Sequence, residues 1–166
     1  MSSGTYLAGD SHAEGLASVV PHVGSDYERG RQTRAQPPLP LELALVVVAL
    51  GTNDYDRSAL EAEVRALALT RGGLPLVWVL PPHATRPDLA ARRDAVVAHI
   101  RAGLRGVAGA LELDPPVVEL GGDGAHPTHA GYREIAEAIA GVGSGGGGLG
   151  FLLFAGAALA IWRWFH

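Results

Sequence analysis

Residues 43–50 read LALVVVAL, and Gly51-Thr52-Asn53-Asp54 follow them directly. An unbroken apolar run of this length, rich in β-branched valine, is typical of a strand that is buried on both faces. Strands of that kind occur in parallel sheets whose two faces are covered by helices. The run therefore predicts the centre of an α/β domain, with polar residues placed where the strand ends.

Strand-like and helix-like segments alternate on both sides of this run. Further short strands are predicted at 5–8, 19–23, 74–80 and 117–120, and helices at 58–67, 85–104 and 128–139. This alternation predicts an α/β fold with a parallel sheet and helices on both of its faces. In such folds the ligand site lies beyond the carboxyl ends of the strands.

The composition limits the classes of function. The chain has 166 residues, of which 48% are hydrophobic and 18% are charged, as expected for one globular domain. Its formal net charge is -4 and it has no run of basic residues, so no nucleic-acid partner is predicted. Cysteine is absent, which excludes disulfides and thiolate metal sites.

Polar residues whose side chains can take part in catalysis follow the predicted strands. Ser11 presents a hydroxyl and its own backbone N–H at a strand end, which suits a nucleophile whose attack produces an oxyanion. Asp123 and His126 are spaced so that the carboxylate can reach the imidazole across a tight turn. Asn53, the only asparagine of the chain, can donate to an oxyanion. Taken singly, Ser11 can also be a helix N-cap, and the other two stretches can be ordinary polar turns.

Three blocks of sequence together resemble the SGNH, or GDSL-like, serine hydrolase family. These blocks are Gly9-Asp10-Ser11-His12, Gly51-Thr52-Asn53-Asp54 and Asp123-Gly124-Ala125-His126. His12 stands where the family usually has leucine, whereas the second of these stretches matches the family pattern fully. Pro127-Thr128 and Gly131-Tyr132 also look like the family. The resemblance covers about residues 5–140, and each block alone is a short pattern.

The resemblance implies the SGNH hydrolase fold, a flavodoxin-like three-layer α/β/α sandwich with a central parallel sheet. It also implies a Ser-His-Asp catalytic triad. Ser11 would attack an acyl carbonyl, His126 would act as general base, and Asp123 would orient the histidine. No metal and no organic cofactor is implied. The expected activity is that of a carboxylic ester hydrolase, either esterase-like or lipase-like, or a carbohydrate O-deacetylase.

The resemblance also implies an oxyanion hole. The oxyanion donors would be the backbone N–H groups of Ser11 and Gly24 and the side-chain amide of Asn53, with Gly30 as the alternative glycine. Residues expected to contact the substrate are His12, Asp54 and His83.

The C-terminal residues predict a tether. We expect a hydrolase domain over 1–140, a Gly-rich linker over 141–150 and a hydrophobic helix over 149–166. As a helix, residues 149–165 would be about 26 Å long, close to the hydrocarbon thickness of a bilayer. We therefore expect a membrane anchor that contacts the lipid bilayer, in a bacterial envelope or a viral membrane. The N-terminus shows no basic stretch followed by an apolar stretch, so no signal peptide is predicted.

Three hypotheses of function follow. The first is a membrane-tethered hydrolase of acyl esters, with a lipid or an acetylated glycan as substrate. The second is a non-catalytic SGNH-like module that binds glycan or lipid as a structural part of a membrane or virion. The third is acyl transfer to an alcohol other than water, which uses the same residues.

Overall fold

The computed structural model describes residues 2–55 and 57–144. Five strands form its sheet: β1 (Ser2–Gly9), β2 (Gly24–Tyr27), β3 (Leu43–Ala49), β4 (Leu76–Val79) and β5 (Ala110–Leu113). All neighbouring strands are parallel, in the order β2-β1-β3-β4-β5. The apolar run at 43–50 is thus the middle strand of a parallel sheet, as its composition predicted.

Helices cover both faces of the sheet. They are α1 (Ser11–Ala17), α2 (Leu60–Leu69), α3 (Pro87–Leu104) and α4 (His129–Ser144). One apolar cluster lies between the sheet and α2 and α3, and the other lies between the sheet and α1 and α4. The predicted α/β sandwich with a parallel sheet is therefore confirmed.

The position of β3 in the middle of the sheet explains why its sequence has no polar residue. Val46 and Val48 are fully buried in the cluster under α2 and α3, whereas Val47 and Ala49 are buried in the cluster under α1 and α4. Full burial of a valine side chain contributes about 1.5–3 kcal/mol relative to exposure. A polar substitution at any of these positions would place an unpaired group in a dry core, on whichever face it points to.

Two predicted strands are wrong. Residues 19–23 form the turn after α1, where Val23 is 62% exposed, and the strand begins only at Gly24. Residues 117–120 contribute a single antiparallel bridge between Leu120 and Pro127, and the fifth strand is β5 instead. Both segments are connections in which valines pack without forming a strand, since Val20 and Val118 are buried in the cluster under α1 and α4.

The C-terminal helix is longer than the sequence predicted. α4 continues to Ser144, so the first residues of the expected linker are helical. The proposed hydrophobic helix over 149–166 lies outside the described residues, and the membrane anchor therefore stays a prediction. Within 2–55 and 57–144, no helix combines the length and the apolar character needed to cross a bilayer.

A close contact joins the first helix to the last. A Cβ atom built on Gly15 of α1 would lie 2.1 Å from the Tyr132 ring of α4. Glycine is therefore required at this point of α1, because any side chain would displace the tyrosine.

Replacement of Gly15 by alanine should lower the free energy of unfolding by about 1–3 kcal/mol, because the new methyl group overpacks the contact with Tyr132. This loss is expected although alanine is the better helix former by about 1 kcal/mol. Urea unfolding followed by circular dichroism measures the change.

The matched control is Gly141→Ala. Gly141 also lies in a helix, but a Cβ atom there meets nothing within 4 Å. This variant should be as stable as the wild type or slightly more stable. An equal loss of stability in both variants would contradict the packing explanation.

Candidate active site

Ser11, His126 and Asp123 form a continuous chain of hydrogen bonds beyond the carboxyl ends of the strands. Ser11 Oγ lies 2.8 Å from His126 Nε2, and His126 Nδ1 lies 2.6 Å from Asp123 Oδ2. The histidine and aspartate side chains are 41% and 54% exposed. The arrangement is thus open to solvent, and the serine and histidine are brought together across 115 residues of sequence.

The end of β1 fixes the position of Ser11. Gly9 has a φ of 151°, and a Cβ atom there would lie 2.1 Å from the carbonyl oxygen of Ala49, so only glycine fits. The next residue, Asp10, donates its N–H to that carbonyl and caps α1 by accepting the N–H of His12. Ser11 is consequently the first residue of α1, and the ends of β1 and β3 hold its backbone.

The loop before α4 fixes the histidine. Asp123 Oδ1 accepts the backbone N–H groups of Ala125 and His126, each at 3.0 Å. Hydrogen bonds from these N–H groups, with that of the His126 ring, hold the pKa of Asp123 well below its ordinary value. The ionised carboxylate can only accept, so His126 donates from Nδ1 and its Nε2 is free to accept the Ser11 hydroxyl. This is the tautomer that a general base requires.

A buried carboxyl group lies beneath the serine. Burial raises the pKa of Asp10 to about 7, although the N–H of His12 and the Asn53 amide both donate to it. Asp10 is fully buried, so its contacts serve to join the ends of β1 and β3 rather than to meet a substrate.

The side-chain nitrogen and the backbone carbonyl of Asn53 both make hydrogen bonds within the protein. Nδ2 donates to Asp10 Oδ2 at 3.0 Å and, over a longer 3.4 Å, to the carbonyl of Arg31. The Asn53 backbone carbonyl accepts the side-chain amide of Gln32. The residue thus connects the end of β3, the start of α1 and the loop after β2.

The prediction of Gly24 as an oxyanion donor is wrong. Gly24 begins β2 and pairs with Tyr6, whereas Tyr27 pairs with Gly9 at the active edge. Three residues of strand, about 10 Å, separate Gly24 from that edge. Gly30, the alternative glycine, lies beyond the carboxyl end of β2 with a φ of 76°.

Asp54 does not have the predicted role in substrate contact. Its side chain is 0% exposed, and it accepts hydrogen bonds from the N–H and the hydroxyl of Thr33 at 3.0 and 2.7 Å. Asp54 therefore holds the short 3₁₀ turn at Thr33–Ala35 in the loop after β2.

His83 is also engaged away from the triad. Its Nε2 lies 3.3 Å from Arg93 and 3.4 Å from Asp114, and the structure shows no hydrogen bond between it and a triad residue. The position after β4 is as expected, but the ring serves a surface ion-pair cluster.

His12 lies against the triad histidine. The two imidazole rings stack with centroids 4.7 Å apart and planes inclined by 22°, and His12 is 4% exposed. A hydrogen bond of 3.3 Å joins His12 Nδ1 to the hydroxyl of Tyr132. The sequence does not identify Tyr132 as a site residue, because an aromatic residue near the start of an amphipathic helix predicts only core packing.

Two pockets, an inner and an outer one, lie beside His12. The inner one has about 10 Å³ of space for the centre of a water molecule, and the outer one has about 80 Å³ by the same measure. Both are lined by His12, Thr52, Pro81 and Pro82. The inner pocket is closed by apolar side chains that include Ile135, whereas Arg92, stacked on the Tyr55 ring, lies at the outer one. The described residues contain no group of three His, Asp or Glu side chains arranged to hold a metal ion.

Comparisons with known proteins find similarity in structure only. No family model and no curated protein matches the sequence. A catalytic mutant of an acetylxylan esterase from Geobacillus stearothermophilus aligns at TM-score 0.57 and 16% identity, over 84% of this chain and 94% of that one. A family 3 carbohydrate esterase from Clostridium thermocellum aligns at TM-score 0.55 and 14% identity, over 83% and 94%.

A third similar structure is phospholipase A1 from Streptomyces albidoflavus NA297, at TM-score 0.53 and 15% identity, over 83% of this chain and 98% of that one. Each of these proteins is thus matched over nearly its whole length. All three are SGNH hydrolases. The order and direction of the strands, the helices on both faces and these alignments together show that this chain has the SGNH hydrolase fold.

Proposed function

We propose that the protein is a serine-dependent hydrolase of carboxylic esters. The observation that carries the proposal is the Ser11–His126–Asp123 chain of hydrogen bonds, with distances of 2.8 and 2.6 Å and with the acceptor nitrogen aimed at the serine hydroxyl. An N-cap or a solvated loop would not require this alignment of three side chains from opposite ends of the domain.

The chemistry follows from these contacts. Ser11 Oγ attacks the acyl carbon while its proton passes to His126 Nε2, and the imidazolium is held by Asp123. The leaving alcohol takes that proton as the acyl–oxygen bond breaks. A water molecule then gives its proton to the same nitrogen and attacks the acyl-enzyme, and the carboxylic acid leaves as Ser11 regains its proton.

Two donors are proposed for the oxyanion. The Ser11 backbone N–H belongs to the first turn of α1, where N–H groups have no partner within the helix. The Asn53 amide is the second donor, and it would exchange its long contact with the Arg31 carbonyl for the oxyanion.

The pockets favour a small acyl group on a larger alcohol. The inner pocket has room for about one water molecule, which matches the methyl group of an acetyl ester. The outer pocket is larger, is lined by Arg92 and Arg93 and can receive part of a sugar. Similar structures include an acetylxylan esterase and a carbohydrate esterase, which supports an acetylated glycan as the substrate class. A long-chain lipid, the class suggested by the phospholipase, fits the inner pocket less well.

A fluorophosphonate probe should add one adduct to the wild-type protein and none to Ser11→Ala, as read by intact mass. Ser25→Ala, which removes an exposed serine of β2, should label like the wild type. If the folded wild type is not labelled, the hydrolase proposal is wrong, and the non-catalytic binding module becomes the better reading.

Asp123→Asn should lower kcat by about 10²- to 10⁴-fold with little change in KM, because a neutral amide no longer pairs with the imidazolium. Its oxygen can still accept the N–H groups of Ala125 and His126, so the loop should stay folded. Asp88→Asn, which removes an exposed carboxylate on α3, is the control and should leave kcat unchanged. Equal effects of the two changes would argue against the assigned role of Asp123.

Acetyl esters should be hydrolysed with a higher kcat/KM than propionyl or longer esters of the same alcohol. Ile135→Val enlarges the inner pocket and should raise the propionyl-to-acetyl ratio of kcat/KM by roughly 3- to 10-fold, since one methylene group is worth about 1 kcal/mol or more of discrimination. Ile139→Val is the control, since it lies one turn further along α4 in the same apolar cluster and does not line the pocket. A wild type that prefers long-chain esters would overturn the assignment of the inner pocket to the acyl group.

A further inference from the structure

The His12 ring makes a contact that the triad alone does not require. It lies face to face with the His126 ring at 4.7 Å between centroids, and it is 4% exposed. Its partner ring is 41% exposed and reaches solvent. The pair therefore consists of one buried imidazole ring and one solvent-exposed imidazole ring.

Only one of these two rings can hold a proton at low cost. Charges at this distance repel each other, and burial penalises the charged form of the enclosed ring. Burial, with the neighbouring His126, lowers the pKa of His12 to about 3. His126 has Asp123 as a partner, so a proton taken from Ser11 resides there and His12 stays neutral.

A neutral aromatic ring favours a cation placed over its face. Such contacts contribute about 0.5–1 kcal/mol at exposed sites and more where water is excluded. His12 cannot turn away, because Tyr132 holds its Nδ1 and Asp10 accepts its backbone N–H. His12 Nε2 is buried and has no hydrogen-bond partner among the described residues, so the ring is held from one side only.

We propose that His12 is a positioning residue that holds the His126 ring toward Ser11 and stabilises the imidazolium formed there during catalysis. This inference rests on the proposed hydrolase function and extends it to a residue outside the triad. Leucine at this position would fill the same space, but it would present no π face to the charged ring.

Any test of this proposal must leave the other ionisable groups near the two rings unchanged. They are Asp10 and Glu14 on the β1–α1 side, Asp123 in the loop before α4, and the Tyr132 hydroxyl on α4. Substitution at position 12 leaves all four in place, so a difference between variants reports the ring itself.

The test compares His12→Leu with His12→Phe. The general base must be neutral, so kcat/KM rises with pH along an acid limb. In His12→Leu the imidazolium loses its support, so the midpoint of this limb should move to lower pH by about half a pH unit, and kcat should fall about two- to fivefold. His12→Phe restores a π face and should return the midpoint toward that of the wild type. Equal midpoints in wild type and both variants would overturn the proposal and leave His12 a packing residue.

A second readout needs no turnover. The ring C–H signals of His126 can be followed by NMR against pH, and the midpoint in His12→Leu should again fall. If the wild type neither hydrolyses esters nor labels with the probe, the proposed function fails, while this titration still decides whether the ring contact is as inferred.

Tyr132→Phe keeps the test available if the ring substitutions do not fold. It removes only the hydroxyl that holds His12 Nδ1. We expect kcat to fall about two- to tenfold with KM unchanged, as for the loss of one hydrogen bond. An unchanged kcat in the folded variant would contradict the positioning role.

Discussion

The 2.8 Å hydrogen bond between Ser11 and His126 depends on the whole sheet. Ser11 is held at the end of β1. His126 lies in a loop that follows β5, the edge strand that β3 and β4 separate from β1. Parallel strands bring all their carboxyl ends to one edge, so residues far apart in sequence meet there. The apolar middle strand is thus as necessary for the candidate site as Ser11 and His126 themselves.

Asp10 places a buried carboxyl group at the carboxyl ends of the strands, which is energetically unfavourable for its ionised form. A carboxyl group without solvent contact is disfavoured in its ionised form, which is why its pKa is raised to about 7. In return it gathers the His12 N–H and the Asn53 amide, and its own N–H reaches Ala49. One short side chain therefore fixes the start of α1, the end of β3 and, through Asn53, the loop after β2.

The sequence predicted those features that depend on local pattern. The run at 43–50, the alternation of elements and the placement of Ser11, Asn53 and the 123–126 loop at one edge were all readable, because hydrophobic periodicity and turn chemistry are local. The roles of Gly24 and Asp54 differ from those predicted, because they depend on strand register and on partners such as Thr33 that only the folded chain brings near. His83 follows β4 as predicted, but no local pattern indicates its contact with Arg93. The His12–His126 stack joins residues more than a hundred positions apart, and no local sequence pattern predicts it.

The direction of α4 determines how far its end lies from the candidate site. The helix starts directly after the loop that carries His126 and runs for 16 residues, about 24 Å, back along the sheet. It therefore ends near the amino ends of the strands, on the side away from the triad. Ser144 thus lies a helix length away from the Ser11–His126 pair, so a polymer can approach that pair from open solution without meeting the end of α4.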